Sequence, residues 1–243
     1  TGQYAPRPEK KIPPVPQIGL VNGLAVYGAN LGMLLEIEVT AYPAEAMKGE
    51  LFVTGIVEEE ESGYGGRKIR RKSMARSSLE NVLTVLRREL NIEPRNYDIH
   101  VNFPGGIPMD GPSAGTAMAT AVFSAIKKLK VDNTVAMTGE LSIRGKVKPV
   151  GGVSAKIEAA VQAGCKKVFI PRENWQVRYK YLDNDTQIIP VDTLTEVIAN
   201  ALLPEKERET VKVSLTESDV ALHKVLKKIK LPVANLPEQG KTC

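Results

Sequence analysis

Apolar and polar residues alternate through the first part of the chain. Leu20 to Val26, Met33 to Thr40 and Glu50 to Val57 each carry the period of two that suits a half-buried strand, with turn signals at Asn22-Gly23, Gly28 to Gly32 and Tyr42-Pro43. They predict an N-terminal antiparallel sheet. The period then lengthens: Leu79, Val82, Leu83, Leu86 and Leu90 recur at spacings of three and four, a helix with one buried stripe that Ser73 would cap. Alternation returns over Asp98 to Phe103. Ser113 to Ile126 is almost all small or apolar, including Ala114, Gly115, Ala117, Ala119, Ala121 and Val122, so the helix it predicts must be packed on most of its circumference and is central. After it come Thr134 to Thr138, Leu141 to Val150, a helix Val153 to Ala163, strands Lys167 to Ile170 and Gln187 to Val191, and a helix Thr193 to Leu202. This order reads as α+β.

Composition narrows the class. With 42% apolar residues in a chain of 243, a sizeable core is available to one large domain or two small ones. The expected division is a proline-rich linker over residues 1–17, a folded domain over 18–203 and a charged tail over 204–243. The start at Thr1, followed by Pro6, Pro8, Pro13, Pro14 and Pro16, reads as a linker cut from something larger. In the tail, Ser214 and Glu217 make a capping box ahead of Val220, Val225, Leu226 and Ile229, which predicts one amphipathic helix. Apolar stretches fall short of a bilayer span and the N-terminus lacks the layout of a secretory signal, so no membrane partner is expected. Two cysteines, Cys165 and Cys243, with two histidines support neither a disulfide framework nor a metal cluster, and fit the reducing cytoplasm.

Charge changes the picture little. Lys and Arg outnumber Asp and Glu by 33 to 28, a net +5 with both signs interspersed, which is not a nucleic-acid footprint. The basic cluster Arg67 to Lys72 has no interleaved aromatics and follows four acids, Glu58 to Glu61, across a glycine turn. The segment Glu58 to Lys72 reads as a solvated hairpin or loop whose arms neutralise each other; the other reading is a rim that contacts substrate or a neighbouring module.

Two glycine-rich turns carry the candidate chemistry. Ser113 lies in Asp110-Gly111-Pro112-Ser113-Ala114-Gly115, and Lys156 in Gly151-Gly152-Val153-Ser154-Ala155-Lys156, each where a loop turns into a helix. Pro112 suits a first helical turn, which puts Ser113 at a helix N-terminus, where backbone amides and the helix dipole stabilise an alkoxide or an oxyanion. Taken alone, Ser113 reads as a cap. Lys156, in a first helical turn amid Val150, Val153 and Ile157, faces a like-signed dipole and loses water, so its pKa should fall towards neutrality and its amine could accept the serine proton. Taken alone, it reads as an exposed lysine on an amphipathic helix. Neither His100 nor His223 lies in such a turn, so a Ser-Lys pair stands in place of a Ser-His-Asp triad.

DGPSAG (110–115), AMTGELSIRGKVKPVGGVSAKIEAA (136–160) and AGCKKVFIPREN (163–174) together resemble the proteolytic domain of the Lon proteases, most nearly the LonB type of Bacillus. The resemblance runs from about Ile18 to Leu203. It implies a fold like that of a ribosomal-protein βαβ domain, with Ser113 as nucleophile and Lys156 as base. It further implies that Thr138 of the MTGE motif hydrogen-bonds the lysine, and that Asp110 shapes the active-site loop; Gly111, with Pro112, forces the turn that leads to the serine. Many relatives carry Pro-Glu-Gly upstream, where this chain has Pro104-Gly105-Gly106, so one candidate carboxylate is missing. The family also has an upstream AAA+ module that binds ATP and Mg, unfolds substrates and assembles as a six-membered ring. Gly139 to Gly145-Lys146-Val147 fails the phosphate-loop pattern, with five residues between the glycines and no hydroxyl after the lysine, so this chain is expected to bind no cofactor of its own.

These readings converge on a serine endopeptidase domain that cleaves unfolded polypeptides through an acyl-enzyme, joined to an AAA+ module of the same polypeptide in a homohexamer. The competing class is a non-catalytic module of the same fold serving assembly in a larger ATPase. The presence of both Ser113 and Lys156 favours the enzyme.

Overall fold

The computed structural model describes residues 11–27, 31–55, 59–64, 67–72, 74–105, 112–181 and 185–204, with backbone only for 59–64, 67–72, 180 and 181. All fall in the compact unit Thr1–Glu205. The cap expected at Ser73, the helix behind Ser214, and Asp110 and Gly111 lie outside the described residues.

In chain order the elements are β1 (Gln17–Ile18), β2 (Leu20–Tyr27), β3 (Leu31–Pro43), β4 (Leu51–Thr54), β5 (Glu59–Tyr64), β6 (Arg67–Lys72), α1 (Met74–Leu90) and β7 (Tyr97–Asn102). They continue with α2 (Gly115–Lys127), β8 (Lys130–Val131), β9 (Val135–Met137), β10 (Glu140–Leu141), β11 (Val147–Lys148), α3 (Val153–Gln162), β12 (Lys167–Pro171), β13 (Gln187–Val191) and α4 (Leu194–Ala201). A seven-stranded mixed sheet in the order β13-β12-β9-β2-β3-β7-β4 is the frame.

The predicted antiparallel pairing holds for β2 with β3 and continues from β3 to β7. β4 does not join β3; it lies at the sheet edge, parallel to β7. On the other side β9, β12 and β13 run parallel to β2, so the N-terminal strands and the second half of the chain share one sheet. Alternation sets the faces of β3: Leu35, Ile37, Val39 and Ala41 are buried on one, and Glu36, Glu38, Thr40 and Tyr42 alternate with them on the other. The first face packs against α1, α2 and α4. α3 covers part of the other face, burying Val153, Ile157 and Ala160 with Leu24, Leu34 and Ala136.

α2 is central, as its composition predicts. Residues 115–122 are all buried, and Ala117 lies close enough to Gly23 that an added Cβ on that glycine would be 3.5 Å from the alanine methyl. This corrects the turn expected at Asn22-Gly23. Both residues sit inside β2, where the Asn22 amide donates to the carbonyls of Asn133 (3.0 Å) and Val135 (2.9 Å). Leu141 to Val150 is likewise not one strand but the hairpin β10-β11, turned through Gly145 at φ 72°. Within the Glu58–Lys72 segment the described residues form the antiparallel pair β5-β6, whose backbone register sets Glu59, Glu60 and Glu61 opposite Lys72, Arg71 and Arg70. That agrees with the hairpin reading.

Candidate active site

β9 ends at Met137, and the turn that carries Ser113 is fastened to the Thr138-Gly139 pair that follows it. The Ser113 carbonyl accepts from the Gly139 N–H (2.9 Å) and from the Thr138 hydroxyl (3.2 Å). In return the Gly139 carbonyl accepts from Thr116, from its N–H (3.1 Å) and its hydroxyl (3.0 Å). The close approach requires glycine at 139, since an added Cβ would stand 2.6 Å from Val147 Cγ1 and 2.7 Å from Thr116 Oγ1. Ser113 itself occupies a single 3₁₀ turn, Pro112–Ala114, just ahead of α2. It is not the helix cap: Ala114 holds that position, with no side-chain hydrogen bond. The side chain of Ser113 is therefore not spent on capping, and the residue is partly exposed.

α3 brings Lys156 to the same place from the opposite face of the sheet. Gly152, at φ 67°, opens the helix with its Cα so close to Val26 that a Cβ would meet Val26 Cγ2 at 2.5 Å. Gly32 at the start of β3 lies against the backbone of Ala155. Lys156 is 3% exposed, and its Nζ donates to Thr138 Oγ1 at 3.1 Å. Burial lowers its pKa from the ordinary 10.5 to about 8. The cause is desolvation by burial.

Thr138 thus sits between the two. Its proton goes to the Ser113 carbonyl, and its oxygen accepts from Lys156. A neutral lysine amine that donates one N–H to Thr138 keeps its lone pair for another partner. Ser113, Lys156 and Thr138, predicted from separate stretches of sequence, share one hydrogen-bonded cluster. Gly139 and Thr116 complete it, and Gly32 packs beneath the helix that carries the lysine; none of the three is assigned a site role in the sequence reading, where glycines beside buried backbone were the available signal. At Gly105, where relatives are expected to carry glutamate, φ is 98°, a conformation side chains rarely adopt, so this backbone suits the glycine it has.

Among the described residues, the other groups considered as nucleophile or base lie away from this cluster or are unreactive. The Cys165 thiol is buried and pushed up to about 12 by desolvation, far from the reactive thiolate. His100 lies exposed on β7, hydrogen-bonded to Thr54 and separated from β9 by β2 and β3. No group of three or more metal-ligating side chains occurs among the described residues, and no helix among them is long and apolar enough to cross a membrane.

Residues 2–204 match the family described as the Lon protease (S16) C-terminal proteolytic domain. The chain belongs to this family. It is similar to Lon protease 2 of Bacillus subtilis (strain 168), 54% identical over 221 residues that cover 90% of this chain and 40% of that protein. Archaeal Lon proteases of Methanothermobacter thermautotrophicus and Pyrococcus abyssi are 37% and 40% identical over 84% and 81% of the chain. The Lon domain seen here spans 30% of the first of these and 19% of the second. The α+β fold with its mixed sheet is that of a Lon proteolytic domain.

Proposed function

We propose that this Lon domain is a serine endopeptidase in which Ser113 is the nucleophile and Lys156 the general base. The observation that carries the reading is the buried lysine. Lys156 is 3% exposed, its Nζ is held on a hydroxyl that is itself bonded to the Ser113 carbonyl, and its pKa of about 8 makes the neutral amine accessible near physiological pH. A non-catalytic module has no use for a desolvated lysine, which costs stability.

In this reading the Ser113 hydroxyl gives its proton to Lys156 as Oγ attacks the peptide carbonyl. Thr116 N–H is committed to Gly139, which leaves the backbone amides ahead of it to hold the oxyanion. Protonated Lys156 returns the proton to the leaving amine, the C–N bond breaks, and a Ser113 ester remains for water to hydrolyse with Lys156 again as base. Thr138 orients the amine throughout. Asp110 shapes the loop before Ser113, following the family resemblance, and Gly111 with Pro112 turns the chain into it.

The lengths of the relatives support a whole protein with further modules. The proposal for it is an ATP-dependent, cytoplasmic protease whose upstream AAA+ module feeds unfolded polypeptides into a homohexameric ring, with ATP and Mg bound by that module and no cofactor in the proteolytic domain. Residues 18–203 form that domain, 1–17 a linker and 204–243 a charged tail. The test is hydrolysis of an unstructured fluorogenic peptide by wild type, Ser113→Ala and Lys156→Ala, with thermal unfolding as control. Both variants should stay folded and lose turnover to about the same extent, because nucleophile and base act as a unit. Appreciable turnover by folded Ser113→Ala would overturn the assignment.

A further inference from the structure

Lys156 is placed by α3, and α3 is placed by the turn that precedes it. That turn, Val150-Gly151-Gly152, has little to fix it from within. Gly151 is exposed and a Cβ there would meet nothing within 4 Å, while Gly152 adopts a positive φ. Two consecutive glycines give this stretch wide backbone freedom in the unfolded ensemble, so an external tie is needed to hold one conformation.

The tie comes from the segment after β12. Asn174, in a 3₁₀ turn at Arg172–Asn174, accepts from the Val150 N–H through Oδ1 (2.8 Å) and donates to the Val150 carbonyl through Nδ2 (3.0 Å). Both polar groups of one residue's backbone are taken by one side-chain amide, as a paired strand would take them, and only this amide orientation satisfies both. A second link lies one turn further on, where Ser154 Oγ meets Tyr179 Oη (3.2 Å) and Arg178 Nη2 (2.9 Å).

We propose that Asn174 is a positioning residue: by holding both polar groups of Val150 it fixes the Gly151-Gly152 turn, and through it the depth at which α3 inserts Lys156 beside Thr138. The proposal rests on the reading of Lys156 as the base. Asn174 lines a pocket of about 270 Å³ together with Val150, Gly152, Ser154 and Tyr179. Water can enter there when the amide is removed and can satisfy the Val150 groups, so stability should change little. Water does not hold them in place. With the turn loosened, Lys156 should sample wetter positions. Among the described residues no charged side chain contributes to its lowered pKa, which comes from burial, and its Nζ meets the neutral Thr138 hydroxyl.

The test uses Asn174→Ala and Asn174→Asp, the second keeping the acceptor for the Val150 N–H while turning an oxygen on the Val150 carbonyl. Peptide hydrolysis gives kcat and KM, and a ¹⁵N-lysine titration reads the midpoint of Lys156 directly. Both variants should lose kcat by roughly 10- to 100-fold with KM within about twofold, and the Lys156 midpoint should move up towards the ordinary lysine value. If Asn174→Ala fails to fold, the neutral variant Asn174→Ser takes its place, because the carboxylate of Asn174→Asp raises a nearby lysine midpoint by its charge alone. A wild-type midpoint in a folded variant would overturn the proposal, whatever happens to kcat. Should Lys156→Ala prove active, the base reading falls, and the ¹⁵N midpoint still decides whether Asn174 sets the lysine's place.

Discussion

Lys156 is the costliest residue in the site. Lowering a lysine from 10.5 to about 8 means that the folded protein disfavours the charged form by about 3 kcal/mol, at about 1.4 kcal/mol for each unit. Below pH 8 both folded and unfolded chains carry the charge, and the folded state bears the full penalty. Between about 8 and 10.5 the folded chain is neutral while the unfolded one still binds the proton, so stability rises with pH until both are neutral. Lys156→Met should therefore stabilise the protein at pH 7, by up to about 3 kcal/mol, with the advantage gone by about pH 10.5 and hydrolysis lost. Urea unfolding midpoints at pH 7, 9 and 10.5 check the sign; a variant less stable than wild type at pH 7 would show that burial of this lysine is not penalised. Thr138→Val keeps the β-branched shape and leaves Gly139 to satisfy the Ser113 carbonyl, so stability should hold while turnover falls on the order of 10²-fold. Wild-type turnover and pH profile in that variant would remove Thr138 from the mechanism.

Between elements, the tightest joint is β3 against α3. A Cβ on Gly32 would stand 1.9 Å from the Ala155 carbonyl oxygen and 3.0 Å from the Lys156 nitrogen, all backbone that cannot swing aside. Gly32→Ala should cost about 1–3 kcal/mol by overpacking and should also reduce peptide hydrolysis, since relief comes from displacing the helix that carries the lysine. Thermal unfolding and turnover measured together test this; a stable, fully active Gly32→Ala would mean that the joint does not position Lys156. The same joint shows what sequence can and cannot disclose. The alternation of Leu35, Ile37, Val39 and Ala41 with Glu36, Glu38 and Thr40 discloses β3, because burial of one face imposes a local period. The Asn22-Gly23 pair looks like a turn and is not one, since Asn22 is held by carbonyls more than a hundred residues away. Likewise β4 beside β7, β9 beside β2, and Asn174 on Val150 join residues distant in sequence, which no period encodes. Ser113 and Lys156 each stood out as a polar group in a glycine-rich turn. Their connection through Thr138 came from the family resemblance, and the hydrogen bonds give it a geometry.

At the scale of the whole molecule, the proposed reaction needs no histidine. His100 lies across the sheet from the cluster's strand, with β2 and β3 between, and His223 lies outside the described residues. Replacing both by glutamine should leave the pH profile in place, with activity rising along a limb near pH 8 as Lys156 loses its proton. Loss of chemistry in a folded double variant would require a different base. The central claim is that Ser113 becomes acylated with Lys156 as its base, and it is tested most directly by a serine-directed acylating probe followed by peptide mass spectrometry. The account predicts a single ester on Ser113, formed faster as pH rises through about 8, and essentially none in Lys156→Ala. An adduct on another residue, or labelling of Ser113 that is undiminished without Lys156, would contradict it.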